Sequence, residues 1–114
     1  MLARDAPDRA IPHLREVLRL QPDDAKARAR LAEALEARAS MLARSGKLKE
    51  ATTDFREMVA LRPSDSDACT NLGVALAMQG DWREAKEFFE RAIQLNPGNA
   101  VARKNLERVQ ELLK

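Results

Sequence analysis

Few side chains in this sequence are of a type and spacing that could do chemistry. Asn71 and Asn105 stand 34 residues apart, and each directly precedes a leucine. A carboxamide donates through its NH2 and accepts through its carbonyl, so it can answer both polar groups of a main-chain amide. Other chemistry has no constellation to support it. Cys69 is the only cysteine, so no internal disulfide can form. His13 is the only histidine and lies more than fifty residues from Cys69, which gives no metal-ligand spacing. The carboxylates fall mainly at helix caps and on polar helix faces, and no glycine-rich phosphate cradle follows a strand. The expectation is a chain with no catalytic residue, no metal and no cofactor.

The elements that position these residues are helical. The chain has 114 residues, 45% of them hydrophobic and 33% charged, with only four glycines and with alanines in every segment. That suits one small all-α domain. The net charge of +2 and the pI near 9.0 reflect a small excess over a mixed surface. Three phenylalanines and one tryptophan sit in packing positions. Neither a basic stripe nor stacking aromatics remain for nucleic acid, so no such partner is expected. No run approaches the roughly 18 apolar residues of a membrane span, and no secretory signal opens the chain. With a lone cysteine, a cytoplasmic location and no membrane contact are expected.

Three similar marks punctuate the sequence: Leu20-Gln21-Pro22-Asp23-Asp24, Leu61-Arg62-Pro63-Ser64-Asp65 and Leu95-Asn96-Pro97-Gly98-Asn99. Each stops an amphipathic run at proline and offers Asp or Asn as the cap of the next helix. Pro63 and Pro97 are 34 residues apart, whereas Pro22 and Pro63 are 41 apart, a repeat with a seven-residue insertion. Gly46 and Gly80 lie equally far before their prolines, and Ala51 and Phe55 match Ala85 and Phe89. Asp81 with Glu84 three residues on has the spacing of a capping box. Six helices are predicted, at about 8–20, 24–44, 47–61, 65–79, 81–95 and 99–113. Pro12 is tolerated if the first begins near Asp8.

Leu72, Gly73, Leu76, Ala85, Phe89, Ala92 and Pro97, with Ala51, Phe55 and Pro63 and then Ala10, Leu14 and Pro22 before them, resemble the tetratricopeptide repeat family. The resemblance implies a right-handed superhelical solenoid of antiparallel helix pairs over one domain, 1–114. Its parts would be the second helix of a partial repeat (8–22), a repeat with an extended first helix (24–63), a full repeat (65–97) and a terminal capping helix (99–114). Seven inserted residues add two turns and nearly preserve the apolar face. Two registers are therefore open. Counting forward from Pro22 pairs Leu31 and Ala32 with Leu72 and Gly73; counting backward from Gly46 pairs Arg38 and Ala39 with them. Met41 and Leu42 lie on the overhang and are the candidates for self-association.

The resemblance also implies a function. In such repeats the first helix of each pair lines the concave side, and asparagines placed like Asn71 and Asn105 contact the main chain of an extended peptide. The forward register adds Arg30 to that ladder, and Thr70, Val74, Met78, Lys104 and Arg108 complete the expected lining. Lys26, Arg30, Lys104 and Arg108 favour an acidic or carboxylate-terminated partner, although Glu33, Glu36, Asp67 and Glu111 offset part of that charge. The expected activity is non-catalytic binding of a protein or peptide. The alternatives are an architectural or self-associating domain, with a homo-oligomer formed through the extended helix, and the recognition module of a larger enzyme such as a glycosyltransferase. The first helix lacks its repeat partner, so the chain is expected to be a piece of a longer protein.

Overall fold

The computed structural model describes residues 5–114 as six helices, with no strand among them. They are α1 (Asp5–Leu20), α2 (Ala25–Arg44), α3 (Leu48–Leu61), α4 (Ser66–Met78), α5 (Trp82–Leu95) and α6 (Ala100–Leu112). The chain divides into two compact units, one ending at Leu61 and holding α1 to α3, the other beginning at Arg62 and holding α4 to α6.

In the first unit, Ile11 and Leu14 of α1 are buried with Ala27, Leu31 and Leu35 of α2. The apolar stripe of α2 continues through Ala32 and Ala39, and Ala51, Phe55, Met58 and Val59 bury the facing side of α3. The Asp24 carboxylate accepts the Ala27 amide at 3.0 Å and starts α2. Gly46, at φ 82°, ends it. There the amides of Gly46 and Lys47 return to the carbonyls of Ala43 and Leu42 at 3.1 and 2.8 Å, a left-handed cap that turns the chain straight into α3. Both registers of the insertion are visible in burial, because Leu31, Ala32 and Ala39 are all inside and Arg38 is half-buried.

The first helix departs from expectation. It begins at Asp5, where Pro7 falls in the first turn and its missing amide costs nothing. Pro12 is then its eighth residue, and it removes a helical bond to the Asp8 carbonyl. Pro12 and His13 both face solvent.

In the second unit, Leu72, Ala75 and Leu76 of α4 are buried, as are Ala85, Phe89 and Ala92 of α5. Gly73 is required by proximity: a Cβ there would lie 2.6 Å from Phe89 Cε1. Cys69 is fully buried, and that burial pushes its thiol pKa up. Gly80, at φ 88°, repeats the left-handed cap, with its own amide on Ala77 and that of Asp81 on Leu76. Asp81 holds the N-cap position of α5, but its carboxylate makes no capping hydrogen bond, so the expected capping box does not form there.

Asn99 ties the second unit together. Its side-chain oxygen accepts the Ala102 amide at 3.0 Å, and its NH2 donates to Ser66 Oγ at 2.8 Å and Thr70 Oγ1 at 3.0 Å. Ser66 Oγ donates in turn to the Ala92 carbonyl at 2.7 Å. One buried amide thus joins the start of α4, the end of α5 and the start of α6.

Candidate functional site

The Asn99 junction sets the first turns of α4 and α6 side by side, and from there both helices pack back along α5. Residues 34 apart then occupy equivalent places. On α4 the outward stripe is Asp67, Asn71, Val74 and Met78; on α6 it is Val101, Asn105, Arg108 and Leu112. Steps of four, three and four residues keep each stripe on one helix face. By the 34-residue offset, with about 5 Å between successive turns of a helix, the stripes correspond as Asp67 to Val101, Asn71 to Asn105, Val74 to Arg108, and Met78 to Leu112.

The two asparagines differ. Asn105 donates to its own helix, at the Val101 carbonyl 2.9 Å away, which leaves its carbonyl oxygen and one N–H for other partners. Asn71 is half-buried, and its amide has no hydrogen-bond partner among the described residues. Lys104 and Arg108 are exposed one turn apart and form no ion pair among the described residues. Glu111 is engaged by Lys114 at 3.0 Å. Thr70, expected on this face, lies elsewhere. It is buried, and its hydroxyl donates to the Ser66 carbonyl while accepting from Asn99, because one residue before Asn71 is a 100° rotation toward α6. Arg30 belongs to the other unit, where it is exposed on α2.

A second feature lies within the first unit. Arg38 donates from Nε and Nη2 to the two carboxylate oxygens of Asp54 at 2.8 and 2.9 Å, and its Nη1 is 3.5 Å from Asp8. The Asp54 side chain is 5% exposed, against 27% for Arg38. The Asp54 hydrogen bond holds the Arg38 guanidinium pKa above its ordinary value. Beside this pair is a cavity of about 530 Å³ walled by Met41, Leu42, Lys47, Glu50 and Thr53, among others. Met41 and Leu42 are half-buried in its wall. The sequence reading passed over Asp54 and weighed Arg38 only as an alternative match to Leu72, not as a charged partner. Their signal is a coincidence: the 34-residue step places Asp54 at Phe88 and Arg38 at Leu72, so two opposite charges replace two apolar residues of paired helices.

Among the described residues, no group of three or more His, Cys, Asp or Glu side chains could hold a metal ion, and no helix is long and apolar enough to cross a membrane.

Two family models, both described as tetratricopeptide repeat, match residues 66–99 and 2–41. The chain is 28% identical over 107 residues to the human protein O-mannosyl-transferase TMTC1, a match covering 94% of this chain and 12% of that protein. It therefore spans about an eighth of that relative. In structure it resembles the first tetratricopeptide domain of Spaghetti (RPAP3) bound to the HSP90 peptide SRMEEVD. The TM-score is 0.69 at 21% identity, over 98% of this chain and 96% of that one. The second such domain of human RPAP3, in complex with the HSP70 peptide SGPTIEEVD, gives 0.66 at 23% identity over 91% and 98%.

Proposed function

The chain belongs to the tetratricopeptide repeat family, and from that premise we propose that it is a non-catalytic interaction module that holds an extended peptide against the outward face of α4 and α6. The observation that carries this reading is the half-buried Asn71 side chain, whose amide is open to solvent and has no hydrogen-bond partner among the described residues. Such an amide can exchange water for a ligand that supplies both a carbonyl and an N–H. Arg108, one turn along the same face, favours acidic residues in the ligand, and Lys104 adds positive charge on the adjoining side of α6. The peptides bound by the two RPAP3 domains, both ending in Glu-Glu-Val-Asp, support a partner of this kind. Within a longer protein such as an O-mannosyl-transferase, the module recruits or orients a protein partner, and bond-making belongs to other parts of that chain.

Fluorescence polarisation with labelled SRMEEVD tests the reading. Asn71→Ala is expected to weaken binding about tenfold, the order of one or two hydrogen bonds lost beside charge, with helical circular dichroism unchanged. Binding that survives both Asn71→Ala and a Lys104→Ala, Arg108→Ala pair would move the ligand off this face. Self-association through Met41 and Leu42 has its own test, since solution mass above that of one chain, reduced by Leu42→Ser, would assign them to an interface.

A further inference from the structure

The seven residues added to α2 do more than lengthen it. In the first unit, Ile11 and Leu14 of α1 are buried with Leu35 of α2, Ala34 packs against the same cluster, and Arg15 reaches Glu57 of α3 at 2.6 Å. A step of seven residues is nearly two whole turns, so it returns to the same helix face. Along α2 toward its end, that step leads from Ala34 and Leu35 to Met41 and Leu42. Along α3 toward its start, it leads from Glu57 to Glu50. The seat of α1 is thus written twice. The described part of α1 fills only the first copy, with the Asp8 carboxylate 3.5 Å from Arg38 at the boundary. Past it, the half-buried Met41 and Leu42, with Lys47 and Glu50, wall the cavity of about 530 Å³. A helical turn 5.4 Å long and about 10–12 Å across occupies about 400–600 Å³, so the space matches one turn of helix. Its rim charges are open: Glu50 and Lys47 are exposed without an ion pair among the described residues, whereas Arg38 and Asp54 are bonded to each other.

We propose that this second seat docks one turn of an amphipathic helix from a partner protein, which sets two aliphatic side chains on Met41 and Leu42 and one arginine or lysine against Glu50. The partner's pattern follows from α1 itself, where Ile11, Leu14 and Arg15 run in the order aliphatic, two residues, aliphatic, cation. Lys47 lies three residues before Glu50 and favours an acid one turn before the partner's cation. A second copy of this chain could offer the same three residues only by unseating its own α1, which buries Ile11 and Leu14. A partner helix carries no such cost. The seat lies wholly within the first unit, so it is independent of peptide binding by α4 and α6.

The test uses the whole 114-residue chain and labelled, alanine-based peptides of about 18 residues, long enough to form helix on their own. One carries isoleucine, leucine and arginine at the spacing found in α1, with a glutamate three residues before the arginine. A second replaces the arginine by glutamate, and a third replaces both aliphatic residues by alanine. Polarisation is expected to place the first about tenfold tighter than the second, with no binding of the third. Glu50→Lys is expected to invert the order of the first two. Because Glu50 is exposed and has no ion pair among the described residues, that variant keeps the core intact. Methyl-methionine NMR supplies a second readout, with the Met41 resonance moving as the first peptide is added. Equal affinity for the first two peptides, an order unchanged by Glu50→Lys, a fixed Met41 resonance or no binding at all would each overturn the seat. A solution mass of two chains that falls to one on adding the first peptide would give the seat to a second copy and overturn the partner helix.

Discussion

The α2–α3 pair and the α4–α5 pair follow one 34-residue register and solve it with different chemistry. Where α4 and α5 place Leu72 and Phe88, α2 and α3 place Arg38 and Asp54, joined by two hydrogen bonds. Where α4 carries Gly73 beneath the Phe89 ring, α2 carries Ala39, also fully buried. One pair closes by close approach of backbone to ring. The other stands on an ion pair that is mostly withdrawn from water. The lesson is that the repeat fixes where helices turn and which faces meet, and leaves open how a given contact is stabilised.

Breaking the ion pair gives the largest expected difference. Arg38→Met leaves Asp54 charged and enclosed without its partner, a loss on the order of 3–5 kcal/mol for a well-buried pair, read by urea unfolding. Asp54→Phe alone costs less, because the Arg38 side chain is 27% exposed and has Asp8 nearby. The double variant Arg38→Leu, Asp54→Phe imports the residues of the other pair and is expected to recover most of the Arg38→Met loss. A single Arg38 variant costing well under 1 kcal/mol would show that the pair contributes only surface charge.

Exchanging the small residues sharpens the comparison at a smaller scale. Gly73→Ala forces a methyl group against Phe89, and overpacking of this kind costs about 1–3 kcal/mol. Phe89→Leu in the same chain should return part of that loss, since the clash is with the ring edge. Ala39→Gly, the reciprocal change, removes no such conflict and is expected to cost roughly 0.5–1 kcal/mol from helix propensity. Comparable losses from Gly73→Ala and Ala39→Gly would mean that α4 shifts readily to admit the methyl group.

Much of this was legible in the residues. Proline, glycine and Asp/Asn punctuation placed all six helices to within three residues at each end, because stops and caps are local effects of backbone geometry. The outward stripe of α4 and α6 was legible for the same reason, as a 3.6-residue period repeated at 34. Arg38 and Asp54 were not. Weighed one at a time, Arg38 is a poor leucine, and its fitness appears only when the facing helix is found to carry a carboxylate. Thr70 was misplaced by one residue of rotation, a margin that periodicity does not resolve but the Asn99 side chain does. The helix start at Asp5 rather than Asp8 turned on Pro7, which favours a first turn as readily as it stops a previous one.

The smallest expected effect separates two aspartates that the sequence made look alike. Asp65 accepts the Ala68 amide at 3.1 Å from an extended backbone at ψ 107°, so Asp65→Ala should cost about 1 kcal/mol. Asp81 follows a left-handed glycine directly, and its backbone reaches only ψ 67°. Its carboxylate makes no capping hydrogen bond to α5, and what remains is its charge near the helix N-terminus, which is exposed and screened by salt. Asp81→Ala is therefore expected to cost a few tenths of a kcal/mol, with Asp81→Asn costing nearly as much because only charge is lost. The difference is structural in origin: first helices of each pair are entered from extended residues that can cap, and second helices are entered from a tight turn whose amides already bond back to the preceding helix. Thermal unfolding of the two alanine variants side by side measures it, and equal losses would show that Asp81 caps α5 after all.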